Sequence, residues 1–97
     1  PSYLRLVHLY FLLNINISKE KRQKILDKVI KCISKYGKIT NIEEIGEKKL
    51  AYEIKKQKEA FYYNLSFEAN PQCIYTLEHL YRITDEILKF ITVRIDF

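Results

Sequence analysis

Leu50-Ala51-Tyr52-Glu53-Ile54-Lys55-Lys56-Gln57-Lys58-Glu59-Ala60-Phe61-Tyr62-Tyr63-Asn64-Leu65-Ser66-Phe67 is the stretch on which the fold turns. Leu50, Tyr52 and Ile54 alternate with Ala51, Glu53 and Lys55; after a charged turn over 55–59, Phe61, Tyr63, Leu65 and Phe67 alternate in the same way. A period of two sends successive side chains to opposite faces, so each half reads as a strand with one apolar face. The pair reads as a hairpin, and the flanking chain must supply the cover for its apolar side.

Towards the N-terminus the second strand reaches back over 39–54, with Gly46 near its middle marking a bulge or bend. Before it comes a helix that opens at Ser18, a good N-cap, with Glu20 in the first turn to suit the helix dipole. It runs to about Tyr36 and places Ile25, Leu26, Val29, Ile33 and Tyr36 on one face. Gly37 then sits where a left-handed C′ residue would end it. The first strand, 4–13, is largely apolar on both faces, as a central strand should be. Towards the C-terminus the third strand spans 60–68. Asn70-Pro71 reads as N-cap and N1 proline of a helix to about Tyr81, with Ile74, Leu77 and Leu80 inward. The last strand, 87–95, has Ile91, Val93 and Ile95 on one face and Phe90, Thr92 and Arg94 on the other.

The order is β, α, β, β, α, β. Two right-handed crossovers joined by a hairpin give one α+β ferredoxin-like domain over 1–97: a four-stranded antiparallel sheet, order 4-1-3-2, with two helices on one face. The opposite sheet face and the hairpin are left for partners. Ninety-seven residues, 47% of them apolar, suffice for one layer of helix on one of sheet and are too hydrophobic for a disordered chain.

Net charge is +5, and its distribution is uneven. Residues 19–58 carry thirteen Lys and Arg against six acids, a net of +7; the rest of the chain is at −2. An anionic partner would meet the first helix and the hairpin. Cys32 and Cys73 have neither metal spacing nor a disulfide framework and read as free thiols in a reducing compartment. No apolar run reaches the roughly 18 residues of a membrane-spanning helix. Pro1-Ser2 reads as a chain that has lost an initiator Met or a presequence.

Catalytic material is sparse. There is no Gly-rich phosphate loop and no nucleophile with an identifiable base. His8 and His79 read as structural or surface residues, and Glu43-Glu44 and Asp85-Glu86 as solvated neighbours whose side chains point apart. No enzyme, cofactor, metal or small-molecule substrate is expected. Binding material is richer. Lys21, Lys24, Lys28, Lys31 and Lys35 share one helix face, which a solvated surface also explains. Lys48 and Lys49, with Lys55, Lys56 and Lys58, bracket Tyr52, and Tyr62 and Tyr63 follow across the turn. Cations beside aromatic rings suit folded RNA, although edge-strand lysines also guard against aggregation.

Ile42-Glu43-Glu44-Ile45-Gly46-Glu47-Lys48-Lys49-Leu50-Ala51-Tyr52-Glu53-Ile54 resembles a segment of the bacterial-type small-subunit ribosomal protein S-six family: a Gly, a basic pair, Leu-Ala-Tyr, then Ile and further lysines. Tyr81-Arg82-Ile83-Thr84-Asp85-Glu86-Ile87-Leu88-Lys89-Phe90-Ile91-Thr92-Val93-Arg94 is similar to that family's closing helix end and strand. Residues 13–18 resemble its first loop and helix cap, and the likeness covers 9–95. Ala60 stands where the family commonly has Gly, and the first strand lacks the usual Tyr-Glu opening.

The resemblance implies a structural constituent of the small ribosomal subunit. Such a protein binds the central domain of small-subunit ribosomal RNA together with neighbouring ribosomal proteins, chiefly S-eighteen. It implies residence on a ribosome, in bacterial cytoplasm, mitochondrion or plastid. Carried onto this chain, Lys48 and Lys49 become contacts to the RNA backbone, with Lys89 and Arg94 as further RNA candidates. Tyr52, Tyr62 and Phe90 are candidates for partner binding or packing. A rival reading, an RNA-recognition-motif module binding single strands, lacks its Lys/Arg-Gly-aromatic pattern in 59–67. A ferredoxin-like small-molecule regulatory domain would need a polar pocket that the sequence does not display.

Overall fold

The structure, a computed structural model, describes residues 5–95. Its elements are β1 (Arg5–Leu13), α1 (Lys19–Tyr36), β2 (Gly37–Ile54), β3 (Gln57–Ala69), α2 (Pro71–Ile83) and β4 (Ile87–Ile95). The sheet order is β2-β3-β1-β4 with every pairing antiparallel, which is the expected topology. Leu4, at the expected start of the first strand, and the side chains of Arg94 and Ile95 lie outside the described residues.

The apolar character of β1 on both faces follows from its place between β3 and β4. Val7, Leu9, Phe11 and Leu13 point under the helices into the main core, where Leu65, Phe67 and Ile87 join them. Ile25, Leu26, Val29 and Ile33 of α1 and Cys73 and Leu77 of α2 close that core from above. Phe11 stacks on Tyr63 with ring centroids 4.9 Å apart, a geometry that adds to simple burial. On the other face of β1, Leu12 joins a smaller cluster with Ala60 and Leu88, covered by Leu50, Ile54 and Tyr62 of the hairpin. The far end of the hairpin is thereby folded onto the sheet face that carries no helix.

Both helix starts are capped as their sequences require. Ser18 accepts from the Lys21 amide at 3.1 Å, satisfying an otherwise unpaired N–H, and Asn70 accepts from the Cys73 amide through both its side-chain oxygen at 3.3 Å and its backbone carbonyl at 3.1 Å. Gly46 has φ +101°, and the β2–β3 register slips between Glu44 and Gly46, so the expected bulge is there.

Three expectations need correction. Gly37 is not a left-handed C′ residue; its backbone is extended (φ −174°) and it is the first residue of β2, opposite Ala69. A glycine is required there by close approach, because a Cβ would collide with the Glu68 carbonyl oxygen and come within 2.7 Å of the Ala69 Cα. The hairpin turn is tighter than 55–59: β3 begins at Gln57, and Lys55 and Lys56 are the two central residues, with φ +50° and +66°. Positive φ at both positions is the type I′ geometry that follows the right-handed strand twist. The second helix continues past Tyr81 to Ile83.

Candidate nucleic-acid interface

Because β2 is an edge strand and outruns β1, its lysines stand at the rim of the molecule. Lys48 lies opposite Ala60 and Lys49 opposite Glu59, so the two neighbours point to opposite faces of the hairpin. Lys56 occupies the turn and Lys58 the start of β3. All four are exposed. They form a basic collar around the hairpin rather than one flat patch.

The remaining candidates are placed differently. Lys55 reaches back from the turn and donates to the Ile87 carbonyl at 3.1 Å, with its ammonium 5.6 Å from the Tyr81 ring. It pins the turn to the start of β4, an arrangement that lowers its freedom to follow an external anion. Lys89 donates to the Tyr52 hydroxyl at 3.1 Å on the helix-free face. Tyr62 is half-buried in the hairpin cluster. Phe90 faces the helices, stacked on Tyr81 at 5.4 Å and edge-on to Phe11 at 5.8 Å, so its ring is engaged inside the fold. Arg94 belongs to β4, its side chain outside the described residues. Tyr52 is 64% exposed, and Ile91 and Val93, at 40% and 48%, extend the apolar part of the same helix-free face.

The helix lysines at 21, 24, 28, 31 and 35 are all exposed. Lys21 nonetheless forms an ion pair with Glu86 at 3.4 Å, and Arg22 lies over the Phe61 ring at 3.9 Å, a cation–π geometry. These two tie α1 to the loop before β4 and to β3. Nothing in the local sequence marks either, since each joins residues about 40 or more apart. His8 shares a 2.8 Å hydrogen bond with Ser66 across β1 and β3. Burial raises the thiols of both Cys32 and Cys73, the latter to about 12, which keeps them protonated and unreactive at neutral pH. Among the described residues no three His, Cys, Asp or Glu side chains gather as metal ligands. No described helix is long and apolar enough to cross a membrane.

The sequence pattern of the ribosomal protein S6 family matches residues 8–94. The chain belongs to the ribosomal protein S6 family. The small ribosomal subunit protein bS6 of Chlamydia pneumoniae is 39% identical over 87 residues, covering 89% of this chain and 78% of that protein. The bS6 of Caldanaerobacter subterraneus is 34% identical over 87 residues, covering 89% of this chain and 92% of that one. The crystal structure of 30S ribosomal protein S6 from Thermotoga maritima superposes with a TM-score of 0.88 at 35% identity, over 95% of this chain and 88% of that chain. As an S6-family member the chain is a structural protein of the small ribosomal subunit and not an enzyme. The S6 fold is also the one read from the sequence, in element order, sheet order and placement of the helices.

Proposed function

We propose that this S6-family chain clamps the central domain of small-subunit ribosomal RNA, acting together with ribosomal protein S-eighteen. The observation that carries the reading is the collar of Lys48, Lys49, Lys56 and Lys58, all exposed on a hairpin that outruns β1. Lysines on both faces of a narrow hairpin suit a grooved polyanion, whose phosphates approach from two sides. Such contacts fix position and orientation without reading sequence. The helix-free face, with Ile91 and Val93 exposed beside Tyr52, is the surface offered to the protein partner. The ribosome concerned is bacterial or organellar.

A labelled central-domain RNA fragment, titrated with the chain between about 50 and 200 mM salt with and without the partner, tests this directly. Affinity is expected to fall steeply with salt. The double variant Lys48→Ala/Lys49→Ala is expected to lower the log–log slope by about 1.4 to 1.8, the share of two phosphate contacts. A slope that does not move would remove those two residues as RNA ligands.

A further inference from the structure

Between Lys49 and Ile54 the β2–β3 register slips, and residues 50–53 stand out from the ladder. Tyr52 is at the centre of this bulge. Its neighbours Leu50 and Ile54 are anchored in the small apolar cluster, and its hydroxyl is held by Lys89 at 3.1 Å. A large aromatic ring is thus fixed at both ends yet 64% exposed. Two hollows have this ring in their walls. The inner one, towards Leu12 and Ile91, is about 120 Å³ and has Lys89 in its wall. The outer one is about 410 Å³, walled by Lys49, Glu53, Lys58 and Glu59 around the ring.

This chemistry matches one kind of guest. A nucleobase presents flat apolar faces that stack on an aromatic ring in a sequence-tolerant way, and the backbone phosphates flanking it would meet Lys49 and Lys58. Ionised Glu53 and Glu59 only accept hydrogen bonds, so they favour a base edge that donates. Adenine, cytosine and guanine carry an exocyclic amino group with two donor hydrogens, whereas uracil offers a single ring N–H flanked by two carbonyl oxygens that the carboxylates would repel. Resting on the RNA reading above, we propose that Tyr52 is the stacking platform for one unpaired, amino-bearing nucleobase seated in the outer hollow.

The test uses the full chain and fluorescein-labelled RNA hexamers of adenosine, cytidine or uridine, followed by anisotropy at about 50 mM salt. The adenosine and cytidine hexamers are expected to bind about 5-fold or more tighter than uridine. Tyr52→Ala is expected to weaken them roughly 5- to 100-fold, while Tyr52→Phe, which keeps the ring and loses only the hydroxyl bond to Lys89, is expected to weaken them by less. Both variants should melt as the parent does, since the ring is mainly exposed. Equal binding of the three hexamers, or a Tyr52→Ala chain that binds like the parent, overturns the inference. If in that case the lysine variant still flattens the salt slope on central-domain RNA, the RNA function stands without it. Failure of the parent to bind any of these RNAs at low salt sinks both. Tyr52→Ala that spares hexamer binding but abolishes docking of a neighbouring ribosomal protein overturns the inference in favour of a protein contact.

Discussion

The two sides of the sheet are built to different rules. Under the helices, Val29, Ile33, Phe67, Leu9 and Leu65 are wholly buried and interlocked. On the open side Leu12, Ala60 and Leu88 form a small buried cluster, and the hairpin that shelters them has a slipped register, a strained turn and exposed lysines. One side holds the chain folded; the other keeps charge and aromatic surface available. The same strands serve both because alternation lets each contribute to the core with one set of residues and to the surface with the next.

Cutting into each side separately should break this symmetry of sequence into an asymmetry of stability. Phe67→Ala removes a fully buried ring and is expected to cost about 3 to 5 kcal/mol in urea unfolding. Ile54→Ala, in the half-covered hairpin cluster, should cost only about 1 to 2 kcal/mol, since it can relax towards solvent. Equal losses would show that the hairpin belongs to the cooperative core after all.

Between those two in size lies a pH effect on the helix side. Burial first, then the neighbouring Cys32, pushes the Cys73 thiol up from 9.0 to about 12. The fold therefore favours the neutral thiol: its contribution is complete below pH 9 and is lost as pH climbs towards 12. From about pH 9 to 10.5 that amounts to about 2 kcal/mol, an upper bound. Cys73→Ala should show a flatter fall over this range than the parent; parallel curves would contradict a buried, proton-holding Cys73.

The smallest effect expected is a gain. Lys56, at φ +66° in the turn, pays the steric penalty of a side chain in left-handed backbone. Lys56→Gly should stabilise the chain by about 0.5 to 1 kcal/mol, while removing one charge from the collar. A loss of stability would mean that the turn draws on the Lys56 side chain.

Local and periodic features were legible in the sequence. Ser18 and Asn70 announced helix starts, Gly46 a bulge, and the alternation in 61–67 a strand with one buried face. Gly37 misleads because a helix-ending glycine and a glycine required by a neighbouring strand look the same until the Glu68–Ala69 backbone is placed beside it. The sequence makes the turn look too wide because Lys55-Lys56 lacks the Asn-Gly signature of its geometry. The lysine-rich hairpin was visible as a candidate site, but its internal division was not. That Lys55 bonds Ile87 and Lys89 bonds Tyr52, across 32 and 37 residues, depends on how the hairpin folds back over β4, which no local pattern encodes.

The central claim is that the hairpin lysines hold this S6-family chain on the small subunit through RNA. The most direct measurement compares the parent with Lys48→Ala/Lys49→Ala/Lys56→Ala/Lys58→Ala by sucrose-gradient sedimentation of native lysates over a series of salt concentrations. The account predicts that the parent migrates with the small subunit, in fixed ratio to its other proteins, and that the folded variant leaves it at a salt concentration the parent withstands. A parent found only at the top of the gradient at low salt, or a variant retained as tightly as the parent, would contradict it.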